Sequence, residues 1–180
     1  MGCAPLCKCV APDTPIATAW GEAPIASLRV GDLVYSVDRG SVRLVPILRT
    51  RQVPAKNHRV VRLTLATGSV LEISALHPTA DGRSIGQLRQ GDLLDGVAIR
   101  GAETIPYEHA ATYDILPDSD SGTYFAAGVL LASTLAEVHC AGGGQPAWSC
   151  VTTGCVQTGG RQLCASGTYG PPQCEQHSRP

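Results

Sequence analysis

Between Cys9 and Thr134 the chain is written in short apolar runs separated by turn residues. The apolar positions recur with the period of two that suits strands, not the longer period of helices. Asp32–Val37 reads as a strand stopped by the turn Asp38-Arg39-Gly40. Ser41–Leu48 alternates as a second strand. Pro46 within it has no N–H for a ladder and predicts an edge or a bend. His58–Leu65, the turn Thr67-Gly68 and Ser69–Ser74 read as a hairpin. Thr112–Leu116 and Thr123–Ala126 form a further candidate pair around the loop Pro117–Gly122, and Val129–Leu131 closes the region. The expected fold class is all-β.

One segment occurs twice. Ile25-Ala26-Ser27-Leu28-Arg29-Val30-Gly31-Asp32-Leu33-Val34 returns sixty residues later as Ile85-Gly86-Gln87-Leu88-Arg89-Gln90-Gly91-Asp92-Leu93-Leu94, with six of ten positions identical. Each copy reads as a short helical turn feeding a strand, with Gly supplying a positive-φ stop and Asp a cap. Two copies predict two β subdomains related by duplication.

After Thr134 the pattern ends. Ala141-Gly142-Gly143-Gly144-Gln145-Pro146 is linker-like, and the remainder is rich in Gly, Cys, Ser, Thr and Gln. Such a segment cannot bury enough apolar surface to order itself, so it is expected to be irregular unless cross-linked. The eight cysteines divide accordingly. Cys3, Cys7 and Cys9 crowd the start, Cys140, Cys150, Cys155, Cys164 and Cys174 lie in the tail, and none lies between. No CxxC knuckle occurs in the tail, so disulfides are favoured over zinc there. Parity gives an internal test: eight paired cysteines would consume Cys9, whereas a free Cys9 leaves an odd seven. The expected divisions are a leader over 1–8, one domain over 9–134 and a Gly/Cys-rich tail over 135–180.

Composition narrows the function. A net charge of -1 with 16% charged residues provides no basic surface for nucleic acid, and no apolar run is long enough to span a bilayer. Aromatics are only 4%, so the core must be built from Val, Ile, Leu and Ala. The first residues lack the apolar stretch of a signal peptide. Cysteine usage alone suggests an exported or cell-surface location, and the chain is expected to be a monomer.

The candidate chemistry starts at Cys9, in Cys9-Val10-Ala11-Pro12-Asp13-Thr14-Pro15-Ile16-Ala17-Thr18. A thiol can attack the carbonyl of the residue before it and turn the Lys8-Cys9 amide into a thioester. That reaction needs a group to polarise the amide and protonate the leaving nitrogen, and His77 at a strand end is suited to it. Ser74, three residues earlier, can donate to the carbonyl oxygen. Asp114 can orient an imidazole or help deprotonate Cys9. Plainer readings stand beside these: Cys9 in a disulfide with Cys3 or Cys7, His77 as a half-buried structural histidine, and Asp114 as a strand-end carboxylate. His58, His109, His139 and His177 read as solvated surface.

The Cys9 block, Leu28–Val34, Ser74-Ala75-Leu76-His77-Pro78, Tyr113-Asp114-Ile115 and Tyr124–Leu131 together resemble, in order, the blocks of Hint (Hedgehog/intein) domains, over Cys9 to Thr134. The resemblance is to bacterial intein-like or Hedgehog-type autoprocessing domains. It implies a horseshoe-like fold of two pseudo-twofold β subdomains and a single-turnover, autocatalytic cleavage at Lys8-Cys9, with no cofactor and no metal. The partners it implies are the chain's own N-terminal flanking segment and a small nucleophile, water or a thiol. Residues 1–8 are then the remnant of that flank, with the true gene start upstream.

This sequence departs from the family's pattern in two places. Ser74 stands where Thr is usual. Ala132-Ser133-Thr134 stands where inteins carry His-Asn, and Ser133 has no side-chain amide to cyclise. Complete splicing is therefore not expected. The alternative is a catalytically inert Hint-fold module, exported for binding or structure, with a disulfide-rich tail. A hydrolase acting on other proteins is a third reading, disfavoured because such a site is built for the adjoining bond.

Overall fold

A computed structural model describes residues 8–135 and 150–169. Strands dominate, as the alternation predicts: β1 (Pro15–Thr18), β2 (Gly21–Pro24), β3 (Leu33–Asp38), β4 (Ser41–Pro54), β5 (Arg59–Leu65), β6 (Val70–Ile73), β7 (Leu93–Leu94), β8 (Val97–Pro106), β9 (Ala111–Pro117), β10 (Thr123–Ala126), β11 (Val129–Ala132), β12 (Cys150–Thr158) and β13 (Arg161–Tyr169). Two single 3-10 turns, Ile25–Ser27 and Ile85–Gln87, are the helical elements among the described residues.

The strands form two curled sheets. One runs β11-β10-β1-β3-β4-β13-β12, with β2 paired to β1 and β9 to β4; the other runs β6-β5-β8-β7. Between them lies an aliphatic core that includes Ile16, Val34, Ile47, Leu63, Ile73 and Ile115. Pro46 marks a bend, as its missing N–H requires. Before it β4 pairs with β3; beyond it, after a bulge at Leu48, β4 pairs with β9.

The expected pairing of 112–116 with 123–126 does not occur. β9 completes the far half of β4, and β10 pairs with β1 and β11. The loop between them is tied elsewhere: Asp120 accepts the Arg39 N–H at 3.0 Å, and Asp38 accepts the Asp120 N–H at 3.1 Å. Those bonds carry the chain across to the β3–β4 turn and away from its own neighbour.

The duplicated segment is duplicated in three dimensions. Asp32 Oδ2 accepts the Arg29 N–H at 2.8 Å, and Asp92 Oδ2 accepts the Arg89 N–H at the same distance. Gly31 and Gly91 both sit at φ 94, a conformation that favours glycine, and donate to Ile47 and Ile99 at 2.9 Å. The Asp32 and Asp92 carbonyls then accept the N–H groups of those same two isoleucines at 2.9 Å. Each copy thus hands the chain to a strand by one shared set of bonds.

Part of the tail differs from expectation. Residues 150–169 are not irregular but form the β12–β13 hairpin. The Cys155–Cys164 disulfide joins a directly opposed pair within it. β13 lies parallel to β4, and Val156, Leu163 and Ala165 pack with Leu33, Tyr35, Leu44 and Phe125 in a second core. At the hairpin tip Gly159 approaches the Ala127 carbonyl so closely that a Cβ there would overlap it. Arg161 anchors the tip on Asp95 at 2.6 Å and on the Gly128 carbonyl at 2.9 Å. Docking supplies the buried surface that the tail's own composition lacks.

The hairpin breaks the symmetry of the repeat. Leu33, beneath it, is 0% exposed, whereas its counterpart Leu93 is 55% exposed. Leu33→Ala is expected to cost about 2–5 kcal/mol, the range for emptying a buried leucine site. Leu93→Ala should cost less than about 0.5 kcal/mol, as surface changes do. Urea denaturation of the two variants checks this; equal losses would mean that the hairpin does not cover Leu33.

Candidate functional site

The residues around Cys9 are held between the two sheets. Val10 bridges Tyr113 of β9 on one side and Ile73 of β6 on the other. Val10 and Tyr113 exchange both backbone bonds at 2.9 Å, the Ala11 N–H donates to Glu72 at 3.0 Å, and the Ser74 N–H donates to the Cys9 carbonyl at 3.0 Å. Cys9 is buried and its thiol is free, so it is not in a disulfide with Cys3 or Cys7. Cys3, Cys7, Cys140 and Cys174 lie outside the described residues.

The spacing of Ser74 and His77 has a local cause. β6 ends at Ile73, and the His77 N–H closes a turn onto the Ser74 carbonyl at 2.9 Å. Ala75 and Leu76 are pushed into solvent while Ser74 and His77 stay buried. Both side chains reach the Lys8-Cys9 peptide bond. His77 Nδ1 lies 2.6 Å from the Lys8 carbonyl oxygen, and the Cys9 N–H donates to Ser74 Oγ at 3.3 Å. The sequence expectation had Ser74 at the carbonyl oxygen. In the structure His77 occupies that side and Ser74 the nitrogen side.

A carbonyl only accepts, so the His77 contact requires a proton on Nδ1. Nε2 is buried beside the Ala132 backbone and makes no well-formed hydrogen bond among the described residues. Burial pushes the His77 pKa down, against opposing effects from Asp114 and the Lys8 and Ala132 backbone. The imidazole is thus neutral at pH 7, Nδ1-protonated and aimed at the carbonyl.

Burial, helped by the Asp114 carboxylate, raises the Cys9 thiol to about 11. The neighbouring Thr112 hydroxyl and the Lys8 backbone offset this only in part. A fixed negative charge therefore disfavours the thiolate. Among the described residues Asp114 makes no hydrogen bond to Cys9 or His77. Oδ1 accepts the Tyr124 hydroxyl at 2.9 Å, and Oδ2 accepts the Thr134 N–H at 2.7 Å and its hydroxyl at 2.5 Å. Through Tyr124, whose ring stands edge-on to His77 at 6.5 Å, it borders the imidazole. Asp114 thereby ties the segment after β11 into the pocket that holds Cys9.

Four residues here were not singled out from the sequence: His58, Thr112, Tyr124 and Thr134. His58 is the largest revision. It is not solvated surface but half-buried, with Nε2 3.1 Å from Ser74 Oγ. The hairpin register could have revealed it: Val61 faces Ile73, so the start of β5 lies beside the end of β6. His109 stacks obliquely on Tyr107 at 5.2 Å. His139 and His177 lie outside the described residues.

No protein-family model matches the sequence, and no curated protein matches it. Solved structures do. A bacterial intein-like domain from Clostridium thermocellum is similar over 72% of this chain and 99% of its own, at 22% identity and a TM-score of 0.59. A DnaB intein from Synechocystis is similar over 71% of this chain and 99% of its own, at 13% identity and a TM-score of 0.58. The fold is the Hint horseshoe of inteins and intein-like domains.

Raising a thiol from 9.0 to about 11 cuts its thiolate fraction at pH 7 about 100-fold. Iodoacetamide should therefore label Cys9 at least about 100-fold more slowly in the folded chain than in the urea-unfolded chain. Peptide mapping follows the Cys9 peptide separately from the tail cysteines. Equal rates would mean that the thiol is not buried as described.

Proposed function

We propose that the chain is a self-processing domain that breaks its own Lys8-Cys9 bond by an N–S acyl shift and does not go on to splice. The Cys9 sulfur gives up its proton and attacks the Lys8 carbonyl carbon. The C–N bond then breaks, a thioester forms between Lys8 and the Cys9 sulfur, and the Cys9 nitrogen leaves as an amine after gaining a proton. Water or a small thiol resolves the thioester and releases the upstream segment ending at Lys8.

The observation that carries this reading is the grip on both sides of one peptide bond: His77 Nδ1 on its oxygen and Ser74 Oγ on its nitrogen, next to a free, buried thiol. A neutral N–H donor directed at the carbonyl oxygen, in a site screened from water, stabilises charge as the tetrahedral intermediate forms. We assign His77 that role, Cys9 the nucleophile, and Ser74 the contact to the leaving nitrogen. Asp114 is the orienting group that fixes Tyr124 and Thr134 around them. Ser133, without a side-chain amide, cannot form the cyclic imide that releases a downstream segment, so the reaction stops at cleavage.

The test is a soluble carrier joined ahead of Met1, with released mass measured with and without added thiol. Cleavage after Lys8 is expected, and Cys9→Ala should abolish it. His77→Ala should slow it about 100- to 1,000-fold, the usual loss for one oxyanion donor. Full-length fusion persisting in the unmodified chain would instead favour an inert Hint-fold module.

A further inference from the structure

Neutral His77 is spent on the carbonyl oxygen, which leaves the departing nitrogen in need of a proton source. The group that touches this nitrogen is the Ser74 hydroxyl, at 3.3 Å. A serine hydroxyl is far too weak an acid to give up its proton unless another group replaces it. One neighbour can: His58 Nε2 lies 3.1 Å from the same oxygen. We propose that His58 is a positioning and proton-supplying residue acting through Ser74, in a relay from His58 Nε2 to Ser74 Oγ to the Cys9 nitrogen. This inference rests on the self-cleavage reading above and adds the origin of the proton.

The relay balances. Cys9 releases its thiol proton to solvent and forms the S–C bond. As the C–N bond breaks, Ser74 passes its proton to the nitrogen and takes one from His58 Nε2. His58 is half-buried, with an edge open to water from which it recovers its proton. One proton leaves sulfur and one arrives at nitrogen, so no oxidant, metal or co-reactant is needed.

His58 is placed for this by its own packing. It lies at the entrance to β5, with its backbone carbonyl accepting the Tyr107 N–H at 3.0 Å. The Tyr107 ring meets the imidazole edge-on at 5.7 Å, and the Tyr107 hydroxyl is fixed on the Ala111 carbonyl at 2.7 Å. The titratable groups around it are Tyr107, then His109 across that ring, and Glu72, Asp13, Tyr113 and Cys9, whose charges act on Tyr107. Glu72 is itself paired with Arg62 at 2.8 Å. None of these charges moves His58; burial alone pushes its pKa below 6.5.

The relay gives a pH signature that a merely structural histidine would not. Thiolate rises tenfold per pH unit up to about 11, while protonated His58 falls tenfold per unit above its own pKa. Their product is flat. Without His58, only the thiolate slope remains.

The test uses the full chain with a carrier ahead of Met1, cleaved by hydroxylamine at a concentration beyond which the rate no longer rises. From pH 7 to 9 the wild-type rate should change less than about twofold, whereas His58→Gln should start about 100-fold slower and climb about 100-fold. His58→Ala with added imidazole should recover rate and flatten the profile. In a Ser74→Ala background His58→Gln should change nothing further. A His58→Gln profile parallel to wild type, or imidazole without effect on folded His58→Ala, overturns the relay while leaving self-cleavage intact. A wild-type chain that never cleaves, although Cys9 is shown to be free, overturns both.

Discussion

The structure depends on the clamping of one short segment. Cys9, Val10 and Ala11 take the place of a strand between β9 and β6, bonded on both sides by backbone groups. This segment joins the two sheets and cannot shift by a residue without turning its side chains over. Its register therefore sets which peptide bond meets the Ser74–His77 turn. Because the turn is fixed to β6 and the segment is fixed to β6 and β9, the bond and the groups flanking it are parts of one hydrogen-bonded framework.

Within that framework the electrostatics are those of a dry site. The thiol is pushed up, His77 is pushed down, and both are neutral at pH 7. In the proposed cleavage, reactivity rests on directed dipoles and on protons supplied at the right atom, since neither a standing thiolate nor a His77 imidazolium is available. Asp114 fits this pattern. Its oxygens are occupied by Tyr124 and Thr134, so it holds the pocket's walls and brings the segment after β11 to the same place as Cys9.

The repeat supplies two turn-and-strand units with matching bonds at Asp32 and Asp92. Later segments then made the two halves different. β12 and β13 extend the sheet beside β4 and bury Leu33, and the hairpin tip rests on the β10–β11 turn. The similar intein-like and intein structures match about 70% of this chain yet almost all of their own length, so they have no counterpart to part of it.

Much of this was legible in the residues. Alternation gave the strands over 32–48 and 58–74, Pro46 gave the bend, and the repeat gave the duplicated turn, because each is dictated by a local property: side-chain period, a missing N–H, or a positive φ. Residue chemistry together with the resemblance to Hint-domain blocks marked Cys9, Ser74, His77 and Asp114 as candidates. Sequence could not decide which side of the peptide bond each would take, since that follows from how a turn on β6 meets a segment held by β9. Nor could it find His58, an ordinary polar residue until strand register puts it against Ser74, or see that residues 150–169 of a glycine- and cysteine-rich tail would form a hairpin docked on β4. Local chemistry is written in the chain; the partner of each group is decided only when distant strands fix their register.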